Sequence, residues 1–171
     1  MPANGGSFVR ILIAAVGRLR AGPEKALFEE YLRRLSWPVT VRQVEARGAS
    51  PADIRKREAE LLLAALDTRS AGRRSATSAS ARRVVALDER GEVASSPELA
   101  GRIGAWRDQG VEEIAFVIGG ADGLHDSIRA GADWLLAFGR LTWPHLLVRA
   151  LLAEQLYRAQ QILAGHPYHR A

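Results

Sequence analysis

Strand and helix signals alternate from one end of this chain to the other, and that alternation restricts the fold more than any single motif does. Residues 8–16 (FVRILIAAV) form a nearly unbroken apolar run that stops at Gly17, and residues 114–118 (IAFVI) form a second that enters a glycine cluster. Both read as buried strands. Between them, Pro23 and Glu24 open a helix, because proline loses nothing in a first turn and an acid faces the positive end of the dipole. Leu27, Tyr31 and Leu35 recur on one face of that helix, and Arg33 and Arg34 favour its last turn. Val39, Val41 and Val44 mark a second strand, and Pro51 starts a helix with Ile54, Leu61, Leu62 and Leu66 as its expected apolar side. Residues 83–87 (RVVAL) predict a strand, followed by a turn at 88–91. Ser95 and Glu98 have capping-box spacing before a helix that stops near Gly110. A short helix and a weak strand at 134–138 follow. The last helix is expected to be capped by Thr142, to carry Pro144 in its first turn and to reach Gly165, about 23 residues or roughly 35 Å. Its residues are apolar on several sides, which predicts burial by the sheet and by a second subunit. The fold class is α/β, with a mostly parallel sheet and helices on both faces.

With 171 residues the chain suits one domain, spanning 8–171, with residues 1–7 (MPANGGS) as a flexible extension. The absence of cysteine excludes a disulfide framework, a thiolate nucleophile and cysteine-ligated zinc. No apolar stretch is long enough to cross a bilayer, and the first residues lack the pattern of a secretion signal, so a cytoplasmic protein without membrane association is expected. The formal charge of +5 invites a nucleic-acid reading. Residues 68–83 alone hold five arginines and no acid, and read as a solvated surface insert. Residues 84–139 carry four arginines against ten acids, whereas residues 140–171 carry four arginines, one acid and three of the four histidines.

No Walker phosphate loop, dinucleotide fingerprint, nucleophile elbow or zincin motif occurs. His166 and His169 lack partner ligands, so no metal is expected. Three places carry chemistry. Gly119, Gly120 and Gly123 follow a buried strand, where open α/β sheets bind ligands. Residues 141–145 (LTWPH) start the long helix, whose free backbone N–H groups can hold polar ligand atoms. Tyr168, His169 and Arg170 place an aromatic, an imidazole and a guanidinium in a tail with no packing duty.

At these places the chain resembles one family. Residues 116–123 (FVIGGADG), 141–145 (LTWPH), 147–149 (LVR), 152–158 (LAEQLYR) and 166–170 (HPYHR) carry the likeness, with 15–17 (AVG) and 30–34 (EYLRR) nearer the start. The family is the bacterial large-subunit rRNA pseudouridine N3-methyltransferase H family, of the SPOUT class.

That resemblance implies a C-terminal trefoil knot, a homodimer and S-adenosylmethionine as cofactor. It implies cofactor contacts at Leu87, Gly119 and the loop Phe138, Gly139, Arg140, Leu141, Thr142 and Trp143. The substrate it implies is a pseudouridine in helix 69 of 23S rRNA, presented on an assembled ribosome. Tyr168 and Arg170 are expected to hold RNA and His169 to handle the N3 proton, while Arg149 and Arg158 orient substrate or tail. Two positions depart from the family's usual residues: Gly139 stands where serine is common, and Trp143 where a smaller apolar residue is. A non-catalytic, ribosome-associated RNA-binding factor of the same fold is the alternative. A related SPOUT enzyme acting on a tRNA ribose lacks support from the tail.

Overall fold

Alternate residues of β1 (Arg10–Val16) enter opposite hydrophobic clusters, Ile11, Ile13 and Ala15 on one side and Leu12, Ala14 and Val16 on the other. A strand with two buried faces belongs inside a sheet covered on both sides. The computed structural model describes residues 9–67 and 82–168. Its elements continue as α1 (Pro23–Arg34), β2 (Val39–Val44), α2 (Pro51–Asp67), β3 (Arg82–Val93), α3 (Ser96–Asp108), β4 (Glu113–Ile118), α4 (Asp126–Gly131), β5 (Trp134–Ala137) and α5 (His145–Leu163). The five strands run in the order β2-β1-β4-β3-β5, and every pairing is parallel. The carboxyl ends of the strands therefore all emerge on one edge, where the connecting loops gather.

Helices α1, α3 and α5 cover one face, contributing Phe28, Ile103, Leu152 and Leu156 to its core. Ala59, Leu62 and Leu66 of α2 and Ile128 of α4 cover the other. Along α5 the small residues Ala150, Ala153 and Ala159 are buried, which lets the helix lie close to the sheet between α1 and α3. The start of α3 is fixed as expected: Ser95 accepts from the Glu98 backbone N–H, and the Glu98 carboxylate accepts from the Ser95 N–H at 2.6 Å. Such a box stabilises a helix by about 1 kcal/mol.

Four local expectations are corrected. Leu61 is exposed, because α2 turns Leu62 inward and its two neighbours, Leu61 and Leu63, flank the solvent side. Residues 88–91 do not end β3; Leu87 and Glu92 both pair with Leu136, so 88–91 form an excursion within one strand. Thr142 does not cap α5. Pro144 is the N-cap residue with no side-chain cap, and the helix runs 19 residues, from His145 to Leu163. Finally, Arg82 and Arg83 of the expected insert belong to β3, where they pair with Glu113 and Asp133. The remainder of the insert, the extension at 1–7 and the residues His169 and Arg170 lie outside the described residues. No helix among the described residues is long and apolar enough to cross a membrane.

Candidate active site

A cleft of about 300 Å³ opens at the carboxyl ends of β3, β4 and β5. Its volume suits a small molecule. Its apolar lining comprises Leu87, Ile118, Leu136, Phe138, Trp143 and Val148. Its charged lining comprises Asp88, Arg90, Asp122 and Arg129, with Arg55 from α2. Arg129 donates through Nε to Asp88 at 2.7 Å and through Nη1 to Asp126 at 2.7 Å, so a nearly buried carboxylate and its cation are fixed in one orientation. Apolar and charged side chains thus line the same cleft, which suits a ligand with both apolar and charged parts.

The glycine loop earns its composition by crowding. A Cβ on Gly119 would stand 3.0 Å from the Gly123 carbonyl carbon and 3.1 Å from Leu124 Cδ2, so the loop folds on itself. A Cβ on Gly120 would meet the Glu58 carboxyl at 3.1 Å. Glu58 is 9% exposed and has no hydrogen-bond or ion-pair partner among the described residues. Burial pushes its carboxyl above the ordinary glutamate range, and the Asp122 charge adds to the push.

At the lip of the cleft Gly139 adopts φ 93°, a left-handed conformation that serine rarely holds. Trp143 donates its indole N–H to the Phe138 carbonyl at 2.9 Å. The ring is thus part of the wall, and the cleft remains open beside it. Phe138 and Trp143 also line a second hollow, whose far side comprises Ser95, Leu99 and Gln155.

The expected cofactor residues Leu87, Gly119, Phe138, Gly139, Leu141, Thr142 and Trp143 come together in this cleft. Arg140 lies in the same loop, exposed. Arg149 does not face the cleft: it is 0% exposed, and its guanidinium donates to the Val16 carbonyl, to the Gly17 carbonyl at 2.6 Å and to Gln43 Oε1 at 3.0 Å. Arg158 pairs with Glu154 one turn earlier on α5, with Nε at 3.0 Å. Tyr168 stacks edge-on against Tyr157, the ring centroids 4.8 Å apart, beneath the Arg158 guanidinium. Burial raises its phenol above the ordinary tyrosine range, helped by Tyr31 and Glu154. Tyr168 is therefore seated on the middle of α5, away from the cleft.

Sequence reasoning missed Arg55, Asp88, Arg90, Asp122 and Arg129 as lining residues. The spacing of Asp126 and Arg129 was the one available signal, and it marks only a local ion pair. His145, the last residue of the 141–145 segment, also lines the cleft. Burial holds its imidazole below the ordinary histidine range, and the Arg149 charge reinforces this. Among the described residues no cluster of three or more potential ligands could hold a metal ion.

A parallel α/β sheet with a cleft among its carboxyl-end loops is the layout in which open α/β folds bind small ligands. Residues 9–169 match the family described as "Predicted SPOUT methyltransferase". A protein named "Ribosomal RNA large subunit methyltransferase H" from Rhodospirillum centenum is 55% identical over 164 residues, covering 95% of this chain and 100% of that one. One of the same name from Paramagnetospirillum magneticum is 53% identical over 163 residues, covering 95% and 99%. A probable methylase family protein from Haemophilus influenzae shares the fold at TM-score 0.55 and 13% identity, over 95% of this chain and 71% of that one. The chain belongs to the SPOUT methyltransferases, and within them to the ribosomal RNA large subunit methyltransferase H family.

Proposed function

We propose that this chain methylates N3 of a pseudouridine in helix 69 of 23S rRNA, in the cytoplasm, with S-adenosylmethionine as donor and assembled ribosomes as substrate. The observation that carries the reading is the cleft, set within a chain that its relatives match over nearly their whole length. The donor set fits the cofactor: the apolar lining of Leu87, Ile118 and Phe138 suits a flat heterocycle, and the charged lining suits an amino-acid end. When bound, S-adenosylmethionine supplies an activated methyl group. The chain must then align the base and remove its N3 proton. Orientation contributes roughly 7–11 kcal/mol in well-placed systems, against some 3–5 kcal/mol for a positioned base.

Tyr168 and Arg170 hold the RNA, and His169 handles the proton. Arg158 orients Tyr168, whereas Arg149 acts through the backbone of the loop after β1. Tyr168 Oη lies 3.5 Å from Glu154, nine residues along α5 from His145, which is about 14 Å of helix. That separation supports a homodimer in which one copy's tail completes the other's cleft. Leu141, 72% exposed, and Trp143, 39% exposed, offer apolar surface for the second copy at the lip.

Mass spectrometry of large-subunit rRNA from cells with and without the protein tests the reading. The expected result is loss of one methyl group from a helix 69 pseudouridine, and an unchanged methylation pattern would overturn it. Stabilisation by S-adenosylmethionine in a thermal shift separates the enzyme from a ribosome-associated factor without chemistry.

A further inference from the structure

The cations of this molecule divide largely by position, although at the carboxyl end Arg18 meets Glu45 and Arg129 meets Asp88 and Asp126. At the amino end of the sheet they are matched by carboxylates: Arg10 with Glu112, Arg33 and Arg34 with Glu30, Arg82 with Glu113, and Arg107 with Asp108. At the carboxyl end, Arg20, Arg47, Arg55, Lys56 and Arg57 have no carboxylate partner among the described residues. Arg90 and Arg140 continue the series on the other flank of the cleft, also unmatched and exposed. Of the acids at this end, Glu45 and Asp126 pair with Arg18 and Arg129, Asp88, Glu89 and Asp122 line the cleft itself, and Glu24 and Asp53 sit in the first turns of α1 and α2.

Helix stability does not account for the arrangement. Cations favour the last turn of a helix, as Arg33 and Arg34 do in α1. Helix α2 reverses this: Arg55, Lys56 and Arg57 stand in its first half, and its last turn holds no basic residue. Arg57 donates to the Arg47 carbonyl at 2.6 Å, which holds the loop between β2 and α2 against the helix and keeps the like charges together. Consecutive unmatched cations repel one another, and a polyanion relieves that repulsion.

Resting on the function proposed above, we infer that this rim is a docking surface for the phosphodiester backbone of folded RNA around the target base. Arg20, Arg47 and Lys56 carry one flank and Arg90 and Arg140 the other, so the strand drapes across the mouth of the cleft. Guanidinium groups on the rim pair with phosphate oxygens in a two-pronged geometry, and the lysine acts as a point charge.

The test compares two triple variants of equal charge change. One removes rim cations (Arg20→Gln, Arg47→Gln, Lys56→Gln), and the other removes matched cations at the amino end (Arg10→Gln, Arg33→Gln, Arg107→Gln). Binding to assembled ribosomes is measured across a salt series, with S-adenosylmethionine calorimetry as the check on the fold. The rim variant is expected to bind at least about tenfold more weakly, with its log–log salt slope reduced by roughly two, since each lost phosphate contact removes about 0.7–0.9. The amino-end variant should match wild type in both, and both variants should keep cofactor affinity. A rim variant with the wild-type slope overturns the inference, even where wild type methylates rRNA. Wild-type protein that neither binds ribosomes nor methylates rRNA removes the proposed function and the rim with it. Tighter association with anionic vesicles than with ribosomes would reassign the rim to a membrane.

Discussion

Arg149 reaches the Gly17 carbonyl at 2.6 Å across 132 residues of sequence, and so ties the second turn of α5 to the end of β1. The guanidinium is sealed from solvent and its Nε has no partner, so the bond rests on the two Nη groups alone. Gln43 Oε1 joins the arrangement by accepting from Leu19 N–H at 2.7 Å as well. Arg149→Met would strand the Val16 and Gly17 carbonyls, with an expected loss of about 3 kcal/mol. The corresponding fall in Tm is roughly 6–12 °C for a domain of this size. Thermal unfolding checks this, and Arg149→Lys should fall between the two because one ammonium cannot serve three separated acceptors. Wild-type stability for the methionine variant would show that the bonds are redundant.

Serine at position 139, the residue the family resemblance leads one to expect, should harm here. At φ 93° a side chain costs about 1–2 kcal/mol, although the space around a new Cβ is open. Gly139→Ser is expected to lower Tm and weaken S-adenosylmethionine binding in calorimetry. Tighter binding would mean that this loop holds its ligand through a side chain rather than its backbone.

Glu58 gives stability a slope with pH. Its folded-state pKa is raised, so the folded chain binds more protons than the unfolded one at pH values between the two pKa values. Stability therefore falls as pH rises through that window, and at neutral pH the buried charge is unfavourable. Glu58→Gln should be more stable than wild type at pH 7, with the advantage shrinking as pH falls through the raised folded-state pKa and gone once it reaches the ordinary glutamate range. Urea unfolding at a series of pH values measures it; a glutamine variant less stable at pH 7 would imply that the carboxylate is held by a favourable contact.

His145 slopes the other way. Its folded-state pKa is lowered, so the unfolded chain takes up the proton first on acidification, and stability is lost as pH falls through the ordinary histidine range. His145→Gln should flatten that loss. In single-turnover assays on ribosomes it should chiefly raise KM, whereas His169→Gln should lower the rate itself. The reverse division would exchange the roles of the two imidazoles.

The order of elements was legible because its signals are local. The Ser95–Glu98 box, the proline at each of two helix starts and the two-sided apolar strands each follow from neighbours in sequence. The cleft was legible where backbone dominates, at Gly119 and the loop from Phe138 to Trp143. Its charged lining was not. Asp88 meets Arg129 41 residues away, inside what reads as a turn, and nothing local marks that partnership. Arg149 shows the same limit: one cation in an apolar helix looks like a surface residue until β1 and β2 bring their carbonyl and amide oxygens to it. Leu61 failed for a different reason. Three successive leucines satisfy any helical phase, and only packing against β1 and β2 selects Leu62.

Trp143 and Phe138, with Leu136, line both the cleft and the second hollow. A single hydrogen bond joins the indole to the Phe138 carbonyl. The same two rings thus shape the walls of both hollows, so the cleft shares its surface with the start of α3 and the flank of α5 without a strand lying between them.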